Sequence, residues 1–117
     1  MPRRSTSKYA ALAFGTLATL ALCAPSFASD SAASELRVQD GRFEPSSLVV
    51  PAGQPLQLKV VNSGSSAIEF ESFELNRERV VQPGASITVY LPSLNPGTYK
   101  FFDDLHEDVG HGTLTAK

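Results

Sequence analysis

The sequence contains no tryptophan, one methionine and one cysteine among its 117 residues. Met1 and Cys23 both lie near the N-terminus, so residues 29–117 contain no sulfur atom. This absence excludes a disulfide framework, thiolate-bound zinc or iron–sulfur centres and a cysteine nucleophile in that part of the chain. It also removes the thiolate and thioether ligands that favour Cu(I). A transition metal bound there must be held by oxygen atoms and imidazole nitrogens.

An excess of positive charge is also absent, because ten Lys and Arg residues face twelve Asp and Glu residues. The near balance gives no reason to expect a nucleic-acid partner. The sequence has no glycine-rich phosphate loop, no nucleophile elbow and no zinc-protease helix motif. A hydrolytic triad needs a nucleophile beside a histidine, and no residue spacing here indicates one. The length fits one domain with one modest core.

The first 28 residues have the features of a secretory signal peptide. A basic start precedes an apolar run from Ala10 to Leu22, and small residues at Ser26 and Ala28 fit a peptidase site. The run is shorter than the ~20 residues that cross a bilayer as a helix. We therefore predict a signal peptide over residues 1–28, cleavage near Ala28, and an exported product that does not span a membrane. A retained anchor and a lipid attached at Cys23 are the alternatives.

The remaining chain is predicted to be a flexible leader at residues 29–34 and one all-β domain at residues 35–117. Short apolar stretches alternate with turns, and no window has a sustained helical period, although residues 73–79 could form a helical turn. This pattern favours a Greek-key antiparallel β-sandwich. Tyr99 follows a turn in the manner of a tyrosine corner, with its hydroxyl bonded to nearby backbone. The side chains expected to pack in the core are Phe43, Phe70, Tyr99, Phe101 and Leu114.

Two polar clusters are candidates for chemistry. Residues 103–111 contain both histidines and four carboxylates, and like charges at this spacing repel unless solvent or a cation screens them. Gly110 allows the loop to bring His106 and His111 together, and such a set suits Fe(II), Cu(II) or Zn(II). Glu69 and Glu71 form the second cluster, on the outward face of a strand. Solvated acidic surfaces are the alternative for both clusters.

The spacing of several motifs resembles the cupredoxin domain. The segments are RFEP at 42–45, VVPAG at 49–53, PGTYKFFDDLH at 96–106 and GHG at 110–112. By this resemblance His106 keeps the histidine of the blue-copper motif, whereas Asp103 stands at the cysteine and His111 at the methionine. The first histidine of the family falls at Glu69. The resemblance thus implies a metal site of Glu69, Asp103, His106 and His111 that is not a blue-copper centre.

A narrower resemblance is to small cupredoxin-like proteins of bacterial iron uptake, through AIEFES at 67–72, VVQPG at 80–84 and LNPGTY at 94–99. It implies a periplasmic protein that binds iron or copper, serves an inner-membrane iron permease, and assists oxidation of Fe(II). A Cu(II) carrier and a metal-free module docking through residues 69–79 are alternative functions. The residues that we expect in an outer shell or a second cation site are Glu44, Glu71, Asp104, Glu107 and Asp108.

Overall fold

The computed structural model describes Pro2, Gly15 and residues 32–117. Pro2 and Gly15 are the only described residues of the predicted signal peptide, and the rest of it lies outside the described residues. Residues 29–31 of the predicted leader also lie outside them. In the part of the chain that is described, no helix is long and apolar enough to cross a membrane. The strands are β1 (Ala32–Gln39), β2 (Arg42–Glu44), β3 (Ser47–Val50), β4 (Leu56–Asn62), β5 (Ile68–Ser72), β6 (Arg77–Val81), β7 (Ser86–Leu91), β8 (Gly97–Asp103) and β9 (His111–Ala116).

These strands form two sheets, which confirms the prediction of an all-β sandwich. One sheet has the order β2-β1-β4-β7 and the other has the order β3-β9-β8-β5-β6. Both sheets are mixed rather than antiparallel, because β1 pairs in parallel with β4 and β3 pairs in parallel with β9. Each parallel pair joins strands that are distant in the chain, an arrangement that a hairpin cannot make.

The first strand begins earlier than the sequence predicts. Ala32, Ala33 and Ser34 of the predicted leader pair with Leu56, Gln57 and Leu58 of β4. Alanine and serine have no bulky side chain to bury, so their pattern gives no strand signal. Backbone pairing to β4 places them in the sheet nevertheless.

The core lies between the sheets, and its members include the predicted aromatic residues. The rings of Phe43 and Phe101 meet edge-on with their centroids 4.9 Å apart, and the centroid of the Phe70 ring lies 5.4 Å from that of Phe101. Leu114 is fully buried beside them. Tyr99 packs against this core, and its hydroxyl donates to the carbonyl oxygen of Asn95 at 2.8 Å, which confirms the predicted tyrosine corner.

The segment predicted as a helical turn contains one turn and a strand. The backbone N–H of Asn76 donates to the carbonyl of Phe73, and β6 starts at the following residue, Arg77. Asn76 has a φ of 52°, a left-handed conformation that asparagine tolerates and that stops a helix. The guanidinium of Arg77 donates twice to the carbonyl of Tyr90, at 3.1 and 2.9 Å. It thereby ties the edge strand β6 to the edge strand β7 of the other sheet.

Candidate metal centre

Asp103 is the last residue of β8, and its side chain is completely buried. Oδ1 accepts hydrogen bonds from the backbone N–H groups of Glu69 and Leu105, at 2.9 and 3.1 Å. Oδ2 lies 2.7 Å from Nδ1 of His106. Both carboxylate oxygens are therefore engaged by the protein itself. This geometry makes Asp103 the group that orients His106 and fastens the end of β8 to β5.

His106 is partly exposed, with 29% of its side chain accessible. With Oδ2 of Asp103 as the acceptor, the proton is assigned to Nδ1, which leaves the lone pair on Nε2. The turn between β1 and β2 holds the ring in place, since a Cβ at Gly41 would lie only 2.6 Å from Cβ of His106. A histidine whose second nitrogen is held by a carboxylate has the form of a metal ligand.

The lone pair on Nε2 of His106 faces a serine that the sequence spacing did not indicate. Ser66 Oγ lies 3.3 Å from this nitrogen. The loop that carries Ser66 is fastened by Asn62, whose side-chain amide donates to the carbonyls of Ser66 and Val81 at 2.8 and 3.0 Å. Ser66, His106 and Asp103 thus form a chain of contacts from hydroxyl to imidazole to carboxylate at this end of the sandwich.

His111 lies on the opposite face of the same sheet. It is the first residue of β9 and pairs with Phe102, and cross-strand partners share a face. The two rings stack with their centroids 6.2 Å apart. Nε2 of His111 also contacts the carbonyl oxygen of Glu107. Asp103 and the core residue Phe101 project to the inner face, so His111 is turned away from the Asp103–His106 pair.

Glu69 projects outward from β5, as the sequence predicted, together with Glu71. Their carboxylates and that of Asp104 each offer an oxygen within 4.8 Å of the other two. Asp104 is held there by its backbone N–H, which donates to the carbonyl of Glu69 at 3.0 Å. Glu78 lies directly opposite Glu71 on β6. We call Glu69, Glu71, Glu78 and Asp104 the carboxylate cluster.

The electrostatics of the carboxylate cluster are those of uncompensated negative charge. A hydrogen bond with Glu78, followed by partial desolvation and by repulsion from Glu78, Asp104 and Glu71, raises the pKa of Glu69 above its ordinary value. Partial desolvation and the charges of Asp104, Glu78 and Glu107 likewise raise the pKa of Glu71. Within residues 32–117, none of the four side chains makes an ion pair with Lys or Arg. A bound cation would relieve this repulsion.

The structure therefore divides the four ligands implied by resemblance. It brings Asp103 and His106 into contact, and it places the side chains of Glu69 and His111 on the outer face of the five-stranded sheet. The four-residue set stays a prediction. Of the additional carboxylates, Glu71 and Asp104 join Glu69, whereas Glu44 lines a separate cavity with Arg37 and Arg42 on the other sheet. The two-residue period of β5 predicted the shared face of Glu69 and Glu71, but the contribution of Asp104 has no local signal.

Comparison with known proteins agrees with the cupredoxin resemblance seen in the sequence motifs. The family model described as a cupredoxin-like domain matches residues 11–116. An uncharacterized protein of Rickettsia prowazekii (strain Madrid E) is 36% identical over 80 residues, which are 68% of this chain and 64% of that protein. The chain thus spans less than two thirds of this curated relative.

Among solved structures, auracyanin B superposes with a TM-score of 0.62 at 18% identity, over 74% of this chain and 88% of that chain. A purple cupredoxin from Nitrosopumilus maritimus gives 0.56 at 16% identity, over 72% and 99%. A Cu-containing nitrite reductase from Thermus scotoductus SA-01 gives 0.61 at 14% identity, over 74% and 28%. At these identities the likeness shows the shared fold.

Proposed function

The chain belongs to the cupredoxin-like domain family, and from that premise we propose that it is a metal-binding protein that holds iron at the carboxylate cluster. The observation that carries this proposal is the approach of Glu69, Glu71 and Asp104, with one oxygen from each within 4.8 Å of the others. These three carboxylates make no ion pair with Lys or Arg of residues 32–117, and they form a set of hard oxygen ligands that suits a hard cation.

The same donor set favours the higher oxidation state of iron. Carboxylate charge interacts more strongly with a trivalent than with a divalent ion, so the cluster lowers the Fe(III)/Fe(II) potential. Fe(II) bound there is then easier to oxidise, with dioxygen as the electron acceptor, than Fe(II) in buffer. The absence of sulfur from residues 29–117 is consistent with this preference.

A Cu(II)-binding role is a second candidate, and it rests on a different observation. Nδ1 of His106 is held by Asp103, and the lone pair on Nε2 accepts from the hydroxyl of Ser66, which a metal ion could replace. Imidazole suits Cu(II) better than it suits Fe(III). His106 would be the central ligand of such a copper site, with Asp103 orienting its ring. The predicted set that adds Glu69 and His111 requires these two side chains to move to the inner side.

We further propose that the protein acts in the periplasm, after cleavage near Ala28, and passes iron to an inner-membrane permease. The resemblance to cupredoxin-like proteins of iron uptake supports this role, together with the signal-peptide pattern of residues 1–28. The described residues of the domain total seven Lys and Arg and eleven Asp and Glu, so the domain carries a net charge of 7 − 11, or −4. This charge attracts cations, although salt screens the attraction beyond about 10 Å.

The test is a titration of the purified protein with Fe(II) under argon, Fe(III) citrate, Cu(II) and Mg(II), followed by calorimetry and thermal unfolding. We expect saturable binding of iron that raises the melting temperature, because a ligand that binds only the native state stabilises it by about 2.7 kcal/mol at 100 times Kd. Glu71→Gln/Asp104→Asn should weaken iron binding at least tenfold. A control pair that removes the same charge beside the other sheet, Asp40→Asn/Glu44→Gln, should leave it unchanged.

Two results would overturn the assignment to the cluster. The first is absence of saturable iron binding by the unmodified protein. The second is equal weakening by the cluster pair and by the control pair, which would show that only net charge matters. Loss of Cu(II) binding in His106→Gln, with iron binding intact, would place copper at the imidazole and iron at the carboxylates.

A further inference from the structure

The outer face of the five-stranded sheet carries an open groove next to the carboxylate cluster. Its volume is about 610 Å³, and it crosses β8, β9 and β3 beneath the turn that follows β5. The side chains at its centre are Phe73, Phe102 and His111, and Ser46, Ser47 and Thr113 form its far wall. We call this feature the aromatic groove.

One aromatic side chain of the groove, that of Phe73, is mostly exposed, and Phe102 beside it is half-buried. Phe73 is 77% exposed at the tip of its turn, and its ring centroid lies 5.4 Å from that of Phe102. Phe102 stacks in turn on His111. Apolar side chains left in contact with water are unfavourable, so a partner that covers Phe73 and Phe102 gains free energy by burying them. A shallow groove that is open along its length suits an extended protein surface.

The carboxylate cluster beside the groove carries negative charge. Glu71 pairs directly with Phe102 across β5 and β8, so the carboxylate cluster begins where the aromatic groove ends. Among the described residues, Lys100 is the one lysine or arginine that lines the groove, and Glu74 lies there with it. The four-stranded sheet differs, because Glu35 there forms ion pairs with Arg37 and Lys59 at 3.3 and 3.7 Å. Among the described residues, Glu35 is thus paired with two cations, whereas no carboxylate of the cluster forms an ion pair with Lys or Arg.

We infer that the aromatic groove and the carboxylate cluster together form a docking surface for a protein partner. The partner presents an apolar side chain, which fills the groove beside Phe73 and Phe102, flanked by Lys or Arg residues, which face the cluster. Charge complementarity selects this occupant, since an acidic or neutral partner would leave the cluster uncompensated. Buried aromatic residues supply the affinity of such contacts, whereas charges at the rim set specificity and association rate.

This inference goes beyond the proposed function, because docking of a basic partner requires no metal. It also links the two roles. A cation bound by Glu69, Glu71 and Asp104 reduces the negative charge that the partner faces, so loading and docking weaken each other by the same factor. Because docking requires no metal, an experiment can find peptide binding without metal binding, or metal binding without peptide binding.

The experiment uses a capped basic peptide, Lys-Lys-Trp-Leu-Lys-Lys, as the probe. The chain contains no tryptophan, so the indole of the peptide is the only one in the sample and its fluorescence reports contact. We expect saturable binding with a blue shift in emission, and no binding of the acidic peptide Glu-Glu-Trp-Leu-Glu-Glu. Iron at saturating concentration should weaken binding of the basic peptide if the cluster holds the metal.

Matched variants distinguish peptide binding at the groove from nonspecific binding to other exposed aromatic side chains. Phe73→Ser removes the most exposed aromatic ring of the groove and should weaken peptide binding at least fivefold. Tyr90→Ser removes an aromatic ring that is 65% exposed on the other sheet and should have no effect. Circular dichroism of both variants verifies folding. Equal weakening by the two substitutions, or equal binding of the acidic and basic peptides, would overturn the inference.

Discussion

Replacement of Asp103 is the sharpest test of how this domain holds the end of its five-stranded sheet. The carboxylate has no accessible surface, and it accepts from two backbone N–H groups and from the imidazole of His106. Asp103→Ala would leave the N–H groups of Glu69 and Leu105 without this acceptor in a buried site. Asp103→Asn would keep an oxygen for those two groups and lose only the negative charge.

The magnitudes follow from these contacts. Each part-buried N–H group deprived of its acceptor costs about 1–3 kcal/mol, so the two together cost about 2–6 kcal/mol. We expect Asp103→Ala to lose about 3–5 kcal/mol of unfolding free energy and Asp103→Asn about 1–2 kcal/mol. Since a small domain has about 5–15 kcal/mol in all, the alanine variant should lose a large share of its stability.

Urea unfolding followed by tyrosine fluorescence and circular dichroism measures these differences. A urea dependence of roughly 1 kcal/mol/M implies that the midpoint for Asp103→Ala falls by about 3 M or more. The neighbouring Asp104 provides the control, because it is exposed and shares the negative charge of the cluster, so Asp104→Ala should be neutral or stabilising. An alanine variant at position 103 within about 0.5 kcal/mol of the unmodified protein would refute the structural role of this carboxylate.

Three further predictions concern the cluster, a turn and a sheet edge. The pKa values of Glu69 and Glu71 are raised in the folded state. The metal-free protein should therefore become more stable as pH falls from neutrality towards their ordinary value of 4.5, and less stable as pH rises. Iron affinity should fall as pH falls, because protons compete with the metal for the carboxylates. Urea midpoints and titrations at several pH values measure both trends, and Glu69→Gln/Glu71→Gln should flatten the stability trend. Gly41→Ala should lose about 1–3 kcal/mol more than Gly53→Ala, because both glycines have positive φ but only the first would bring its Cβ against a neighbouring side chain; equal urea midpoints would contradict this. Arg77→Gln should lose roughly 1 kcal/mol through its two hydrogen bonds to the facing edge strand, and an unchanged thermal midpoint would show that the link is dispensable.

The sequence predicted those features that depend on local pattern. Leu56, Leu58 and Val60 alternate with polar residues, and all three are buried in β4 as a two-residue period requires. Tyr99 forms its corner because a turn and an aromatic residue at a fixed offset are sufficient to specify it. These signals lie within a few residues of one another, so no knowledge of the topology is needed to read them.

The candidate site could be predicted only in part, because it depends on strand register. Asp103 and His111 both lie next to the β8–β9 connection, but Phe102 rather than Asp103 pairs with His111. A difference of one residue in register moves a side chain to the other face of a sheet. The resemblance to the cupredoxin domain implied four ligands at one site; in the described residues Asp103 lies on the inner face of the five-stranded sheet, and Glu69 and His111 lie on its outer face. Ser66 escaped prediction for a related reason, since it meets His106 across 40 positions of sequence.

The place of β9 in the five-stranded sheet has a consequence for when this protein can fold. This strand is formed by residues 111–116, yet it lies between β3 and β8 rather than at an edge. Until residues 111–116 have been synthesised, β3 lacks its neighbour among the described strands of this sheet, and the position of Leu114 in the core is empty. A chain without these residues therefore cannot complete the five-stranded sheet. Deletion of residues 111–117 should have the same effect permanently.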